Sequence, residues 1–298
     1  MTSPISTTTP RPETPDEILE RLSARAIVHR DRSGPTEMVW REIGRGSPLV
    51  LIHGGHGNWM HWVRNIEALS QQHTLWLPDL PGFGESGTLD GDPHADDRLD
   101  RLVDTVAASL RQRFGASDGF ALAGFSFGGV VAARLAAALP NVEKLALLGS
   151  AGHGGMRRQR LDMVNWRTED REQMLQGLRH NLKALMLHDP SSIDALAMAV
   201  HERACMATRF RSKSISRGGP VLGQALDSYG GKTLLIWGEH DVTADPLEVA
   251  PRIAGNLSTR RWHLVPGGGH WVQYERADEI NQLLLQWFAS GDGGLHAR

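Results

Sequence analysis

Along most of the chain, short aliphatic and β-branched runs alternate with longer stretches whose apolar positions recur at helical spacing. The runs AIVHR from Ala26, EMVWREIG from Glu37 and PLVLIHGG from Pro48 predict three strands. A helical stretch from Trp59 to Ser70 follows, then the strand TLWLPD (Thr74 to Asp79), a helix from about Pro93 to Phe114, and the strand GFALAGF (Gly119 to Phe125). Asp92 before Pro93 reads as an N-cap with proline at the first helical position. The Ala-rich stretch Gly128 to Leu139 predicts a helix stopped by Pro140, and VEKLALLGS (Val142 to Ser150) another strand. From Ala151 to about Gly230 no strong strand interrupts the helical spacing. The alternation then resumes with the strand KTLLIWGEHD (Lys232 to Asp241), a helix from Pro246 to Ala254, the strand RRWHLVPG (Arg260 to Gly267) and a helix from Glu275 to Phe288.

Nearly continuous apolar strands belong to parallel sheets covered on both faces and joined by right-handed helical crossovers. The expectation is therefore an α/β fold in which 16–150 and 231–298 share one sheet of eight strands and 151–230 is a helical insertion. Six of the nine methionines (156, 163, 174, 186, 198 and 206) fall in that insertion, where adaptable apolar side chains either line a pocket or pack the insertion itself. Residues 1–15, rich in Ser, Thr and Pro, offer little to bury and read as a disordered tail.

Charge and cysteine content narrow the function. With 32 Lys and Arg against 34 Asp and Glu, the 298-residue chain has a formal charge of -2, and it shows no basic stripe for a nucleic acid or an anionic membrane. No apolar run reaches the roughly 18 to 20 residues that cross a bilayer, and the first residues lack the charged-then-apolar layout expected of a secretion signal. A soluble, cytoplasmic protein with a small-molecule partner is expected, as a monomer or homo-oligomer. The single Cys205 excludes an internal disulfide and a Cys-rich zinc site.

Gly124-Phe125-Ser126-Phe127-Gly128 stands where a predicted strand meets a predicted helix, the arrangement of a nucleophile elbow. Such a turn is sharp, so small residues must flank the serine, and glycines at 124, 128 and 129 satisfy this. A serine hydroxyl needs a base to take its proton and a carboxylate to orient that base. Downstream, Asp241 ends one strand and His270 follows another in PGGGHW, and both lie beyond carboxyl ends of strands, where open α/β sheets gather reactive groups. Asp245, before Pro246, is the competing acid, although an N-cap role suits it better. Oxyanion donors are expected from the N–H of Phe127 and from the turn His53-Gly-Gly-His-Gly57, with Gly55 favoured and His56 the alternative. His53 and His56 have metal-ligand spacing, yet no third ligand stands with them, and neither metal nor cofactor is expected. Gly82-Phe-Gly-Glu-Ser-Gly87 spells a dinucleotide fingerprint but opens no helix, so it reads as a structural loop.

Together HGG, PDLPGFGES, GFSFGG, GEHD and GGGHW resemble the α/β-hydrolase superfamily, in the family's order and from about Arg25 to Phe288. The resemblance implies a mostly parallel eight-stranded sheet with helices on both faces and 151–230 as a helical cap. It also implies Ser126 as nucleophile, His270 as base, Asp241 as its partner, and Gly55 and Phe127 as oxyanion hole. His270-Trp271 is similar to the pair in hydrolases that cleave carbon–carbon bonds of aromatic meta-cleavage products, although those usually carry Asn where this chain has Phe125. Trp271 is accordingly a substrate-binding candidate. Among the cap arginines 203, 209 and 211, Arg203 is the choice for a substrate carboxylate. The leading expectation is a serine hydrolase of small or medium esters, lactones or related carbonyl compounds. The alternatives are a carbon–carbon hydrolase of diketone acids and a ligand receptor on the same fold.

Overall fold

The computed structural model describes residues 11–33 and 36–289. The first ten residues of the expected tail lie outside the described residues, but its end departs from the expectation. Thr14 Oγ1 accepts the Glu17 N–H at 3.3 Å while the Glu17 carboxylate accepts the Thr14 N–H at 2.8 Å. This capping box, with proline at the first position, starts helix α1 (Pro15–Ala24), which buries Leu19 and Leu22.

Strands β1 (Ile27–Ser33), β2 (Thr36–Gly44) and β3 (Ser47–Ile52) follow. Helix α2 (Ile66–Leu69), strand β4 (His73–Asp79), helix α3 (Arg98–Phe114), strand β5 (Phe120–Phe125), helix α4 (Phe127–Ala138) and strand β6 (Val142–Leu148) continue the wind. After a long excursion, β7 (Lys232–Gly238) and β8 (Arg260–Val265) complete a sheet ordered β1-β2-β4-β3-β5-β6-β7-β8. The β1/β2 and β2/β4 pairs are antiparallel, and every pair from β4 through β8 is parallel. Both faces are covered. Val50, Ile52, Leu122 and Leu145 belong to one core with α3 and α4, while Leu49, Leu51, Ala123 and Ala146 belong to the other. This is the period-two consequence of burying a strand on two sides.

Two expected helices are shorter than their patterns suggest. Asp92 caps nothing longer than a turn, accepting the His94 N–H at 2.8 Å, because GDPHADD offers no apolar face and α3 begins at Arg98. Trp59 to Ser70 splits into a 3-10 turn (Trp59–Trp62) and α2.

The excursion between β6 and β7 holds helices α5 (Arg171–Asn181), α6 (Ala195–Met206), α7 (Lys213–Ser216) and α8 (Val221–Tyr229). Its first twenty residues, expected to be helical, instead form neither helix nor strand: Gly152 and Gly154 adopt positive φ, and the Asn181 amide brackets Val164, accepting its N–H and donating to its C=O. Beyond β7 come α9 (Pro246–Ala254), α10 (Val272–Glu275) and α11 (Ala277–Phe288).

The close seating of α4 decides where its N-terminus points. A Cβ on Gly124 would lie 2.4 Å from the Gly128 carbonyl oxygen and 2.7 Å from Ala132 Cβ, and one on Gly128 would lie 2.2 Å from the His53 carbonyl oxygen. Backbone cannot step aside as a flexible side chain can. Gly128→Ala should therefore lower stability to unfolding by urea by about 1–3 kcal/mol, the usual range for overpacking. A change within experimental error would mean that α4 can slide on the sheet.

Candidate active site

Ser126 is the single residue between β5 and α4, held at φ 55° and ψ -118°. Among the described residues only His56 shares a positive φ without being glycine. This sparsely populated conformation persists because the surroundings impose it. The Ser126 N–H donates to Leu148 C=O at 2.9 Å, and the Ser126 carbonyl accepts the N–H groups of Gly129 and Ala151 at 2.9 and 3.0 Å.

Two loops at the carboxyl ends of β7 and β8 bring up the other partners. They approach closely because residue 238 has no side chain: a Cβ there would lie 2.2 Å from the Gly269 carbonyl oxygen. His270 Nε2 lies 2.9 Å from Ser126 Oγ, and its Nδ1 lies 2.8 Å from Asp241 Oδ2. Asp241 is fully buried, and its second oxygen accepts from both the N–H and the hydroxyl of Thr243 at 2.7 Å. Burial pushes the Asp241 carboxyl up, but the adjacent His270 and the hydrogen bonds from His270 and Thr243 outweigh it and leave the group below its usual range. With Asp241 ionised, Nδ1 is the donor and Nε2 faces the serine hydroxyl as acceptor. Asp245, the competing acid, instead accepts the Leu247 N–H at the start of α9 and pairs with Arg158.

The turn after β3 lies against the serine. A Cβ on Gly54 would be 3.2 Å from Ser126 Cβ, and one on Gly55 would be 3.6 Å from Phe127 Cβ. Phe127 opens α4, so its N–H has no partner within the helix. Two buried histidines hold the turn. His53 donates from Nδ1 to Gly54 C=O at 2.8 Å and accepts the Leu80 N–H on Nε2 at 3.0 Å, while His61 Nδ1 accepts the Gly54 N–H at 3.2 Å. Burial lowers both pKa values, His61 the further, where neighbouring histidines add to it. Both nitrogens of His53 are thus occupied by backbone, and among the described residues no group of three or more His, Cys, Asp or Glu is arranged to hold a metal. The loop 82–87 has a structural place, with Glu85 N–H and Trp59 N–H both donating to the Asp79 carboxylate at 3.0 Å.

Ser126, His270, Thr243, Gly55 and His56 open on a cavity of about 470 Å³, closed on its other side by residues of the β6–β7 excursion. Two sequence candidates are elsewhere. Trp271 is fully buried beneath the site: its indole N–H donates to His61 C=O at 2.9 Å and its ring stacks on Tyr274, so it supports the turn and does not line the cavity. Arg203 faces outward from α6 and pairs with Asp16 of α1 at 2.6 Å. Sequence reasoning also passes over Thr243, His61 and Glu275. Thr243 carries a local signal, an Asp two residues earlier in an Asx-type turn. Glu275 accepts the N–H groups of Gly269 and Asp189, tying the His270 loop to the excursion, and nothing local announces it.

A sequence model of the alpha/beta hydrolase family matches residues 49–283. The chain belongs to this family and is an enzyme, a hydrolase. It is 32% identical over 274 residues to the dihydrolipoyllysine-residue acetyltransferase component of an acetoin cleaving system of Pseudomonas putida, covering 83% of this chain but only 65% of that protein. It is 29% identical over 277 residues to a 2-hydroxy-6-oxononadienedioate/2-hydroxy-6-oxononatrienedioate hydrolase of Paraburkholderia phymatum, covering 85% of this chain and 92% of that one. The crystal structure of an esterase from Rhodococcus sp. ECU1013 superposes with a TM-score of 0.72 at 20% identity, over 88% of this chain and 98% of the other, and so shares the fold. Among the described residues no helix is long and apolar enough to cross a membrane.

The buried histidines make stability depend on pH. His201, on the cavity wall, has its pKa pushed down to about 4 by burial and by His56. A base whose folded pKa is depressed contributes stability in full above its unfolded value, about 6.5, and loses that contribution as pH falls toward the folded value. His201→Gln should therefore flatten the decline of Tm between about pH 6.5 and pH 4. An unaltered slope would assign that decline to other groups.

Proposed function

We propose that the chain is a serine hydrolase acting through an acyl-enzyme on a small or medium ester, lactone or related carbonyl compound. The observation that carries this reading is the continuous hydrogen-bonded line from Ser126 Oγ through His270 to the buried Asp241, at the floor of a cavity. In this reading Oγ attacks the carbonyl carbon while its proton passes to His270 Nε2. Asp241 stabilises the resulting imidazolium through Nδ1–H, and the oxyanion takes the N–H groups of Gly55 and Phe127. The imidazolium then protonates the leaving oxygen, and water, activated by the same nitrogen, releases the acid. No metal or cofactor enters the scheme. The sheet units 16–150 and 231–298 supply the reacting groups, and 151–230 serves as the cap that excludes water.

A second reading keeps the same groups but cleaves a carbon–carbon bond in a vinylogous diketone acid. It is favoured by the relatives named as oxononadienedioate and phenylhexadienoate hydrolases. Set against it is Phe125 beside the nucleophile. Short-chain nitrophenyl esters assayed beside a dienoate substrate separate the two.

Ser126→Ala should abolish labelling by a fluorophosphonate probe, and Asp241→Asn should lower kcat by about three to four orders of magnitude by presenting the wrong tautomer of His270. Persistent labelling of the alanine variant would move the nucleophile elsewhere. Labelling of the native chain without turnover of any substrate would favour a receptor.

A further inference from the structure

On the outside of the β6–β7 excursion, Arg158 pairs with Asp245, Arg171 with Glu202 and Arg203 with Asp16, Arg179 and Arg209 donate to carbonyl oxygens, and Arg160, Lys183 and Arg211 stand in solvent without an ion pair among the described residues. The cations lining the cavity, Arg157, Arg167, Lys213 and Arg217, have no acidic partner among the described residues, and the only contact of an Arg167 charge is with the face of Trp166. Arg157 is half-buried, and its Nε is wholly buried with no hydrogen-bond partner.

One carboxylate faces these four cations on the wall, the exposed Asp162. Asp241 is near enough to act on Arg157, but its oxygens are committed to His270 and Thr243. Burial and, after it, the neighbouring Arg217 lower the Arg157 pKa, while Asp241 works in the opposite direction. Burial lowers the pKa of both His56 and His201, also on the wall, and Arg167 and Lys213 lower that of His56 further. A chain with a formal charge of -2 thus concentrates positive charge around the one cavity that holds Ser126. Desolvating unpaired guanidinium is costly, and a concave, low-dielectric wall focuses its field on whatever enters.

We propose that Arg157, with Arg217 beside it, forms an anion subsite that selects acyl substrates bearing a carboxylate. A guanidinium with free donors matches a carboxylate in geometry as well as charge, whereas Lys213 and Arg167 add field without a defined fork. The proposal names the substrate class of the site described above and rests on that reading for its kinetic test alone.

The test compares mono-4-nitrophenyl glutarate, an anion, with 4-nitrophenyl valerate, its neutral near-isostere. The native enzyme should prefer the glutarate ester in kcat/KM, and the preference should shrink with added salt because the subsite is partly exposed. Arg157→Gln should cut the ratio of the two kcat/KM values by about tenfold or more, Arg217→Gln by less, and Arg157→Lys should restore part of it. A ratio identical in the native enzyme and both glutamine variants overturns the proposal while leaving the hydrolase reading intact. Should neither ester turn over, the hydrolase reading fails and calorimetry decides the subsite. Glutarate should then bind the native chain more tightly than glutaramide and lose that advantage in Arg157→Gln, and equal binding of the two overturns it.

Discussion

The carbonyl oxygen of His53 lies 2.2 Å from where a side chain of Gly128 would begin, and this backbone-to-backbone contact governs the geometry of the whole site. It fixes the distance between the turn after β3 and the first turn of α4, which are the two structures that present N–H groups beside Ser126. The same contact explains the composition of α4, where Gly128, Gly129 and Ala132 face the sheet. Larger residues would lift the helix, and with it the N–H of Phe127, away from Gly55. Oxyanion stabilisation of the kind proposed falls off steeply with donor distance, so packing at Gly128 and chemistry at Ser126 are one constraint.

Around this contact the protein uses histidine in two opposite ways. His53 and His61 are buried and neutral, each reading backbone with a fixed tautomer, so that they act as rigid amide-like spacers for the turn. His270 differs because its second nitrogen meets an ionised carboxylate at 2.8 Å. The contrast sets His270, buried between a carboxylate and the Ser126 hydroxyl, apart from His53 and His61.

Much of this is legible in the order of the amino acids alone. The inner strands can be read because a strand buried on both faces must be apolar throughout, and Ser126 and Asp241 can be read because each follows such a strand, whereas β8 is a half-exposed edge strand and His270 is read from the glycine-rich loop after it. These are local signals. Trp271 and Arg203 escape them for the complementary reason: whether an indole beside the site faces the cavity or the core depends on His61, some two hundred residues away, and whether an arginine on α6 faces inward depends on Asp16 of α1. The irregular start of the β6–β7 excursion escapes them too, because it is held by distant partners, among them Asn181, Thr243 and Glu239, and not by its own spacing. Long-range partners leave no periodicity.

The division of labour that results has a physical basis. Gly55, Ser126, Phe127, Asp241 and His270 all come from the sheet and its loops. The cavity-wall cations without an acidic partner all come from the excursion, whose bonds to that frame include Trp271 N–H to Met186 C=O, Asp189 N–H to the Glu275 carboxylate, Arg209 N–H to Gly82 C=O and the Tyr229 hydroxyl to Val142 C=O. Charge acts over several ångströms and tolerates displacement, whereas the proton transfer proposed between Oγ and Nε2 would not. On the proposed function, the excursion would set which molecules enter while the sheet loops hold the spacing of Ser126, His270 and Asp241, so that the two can vary separately in sequence.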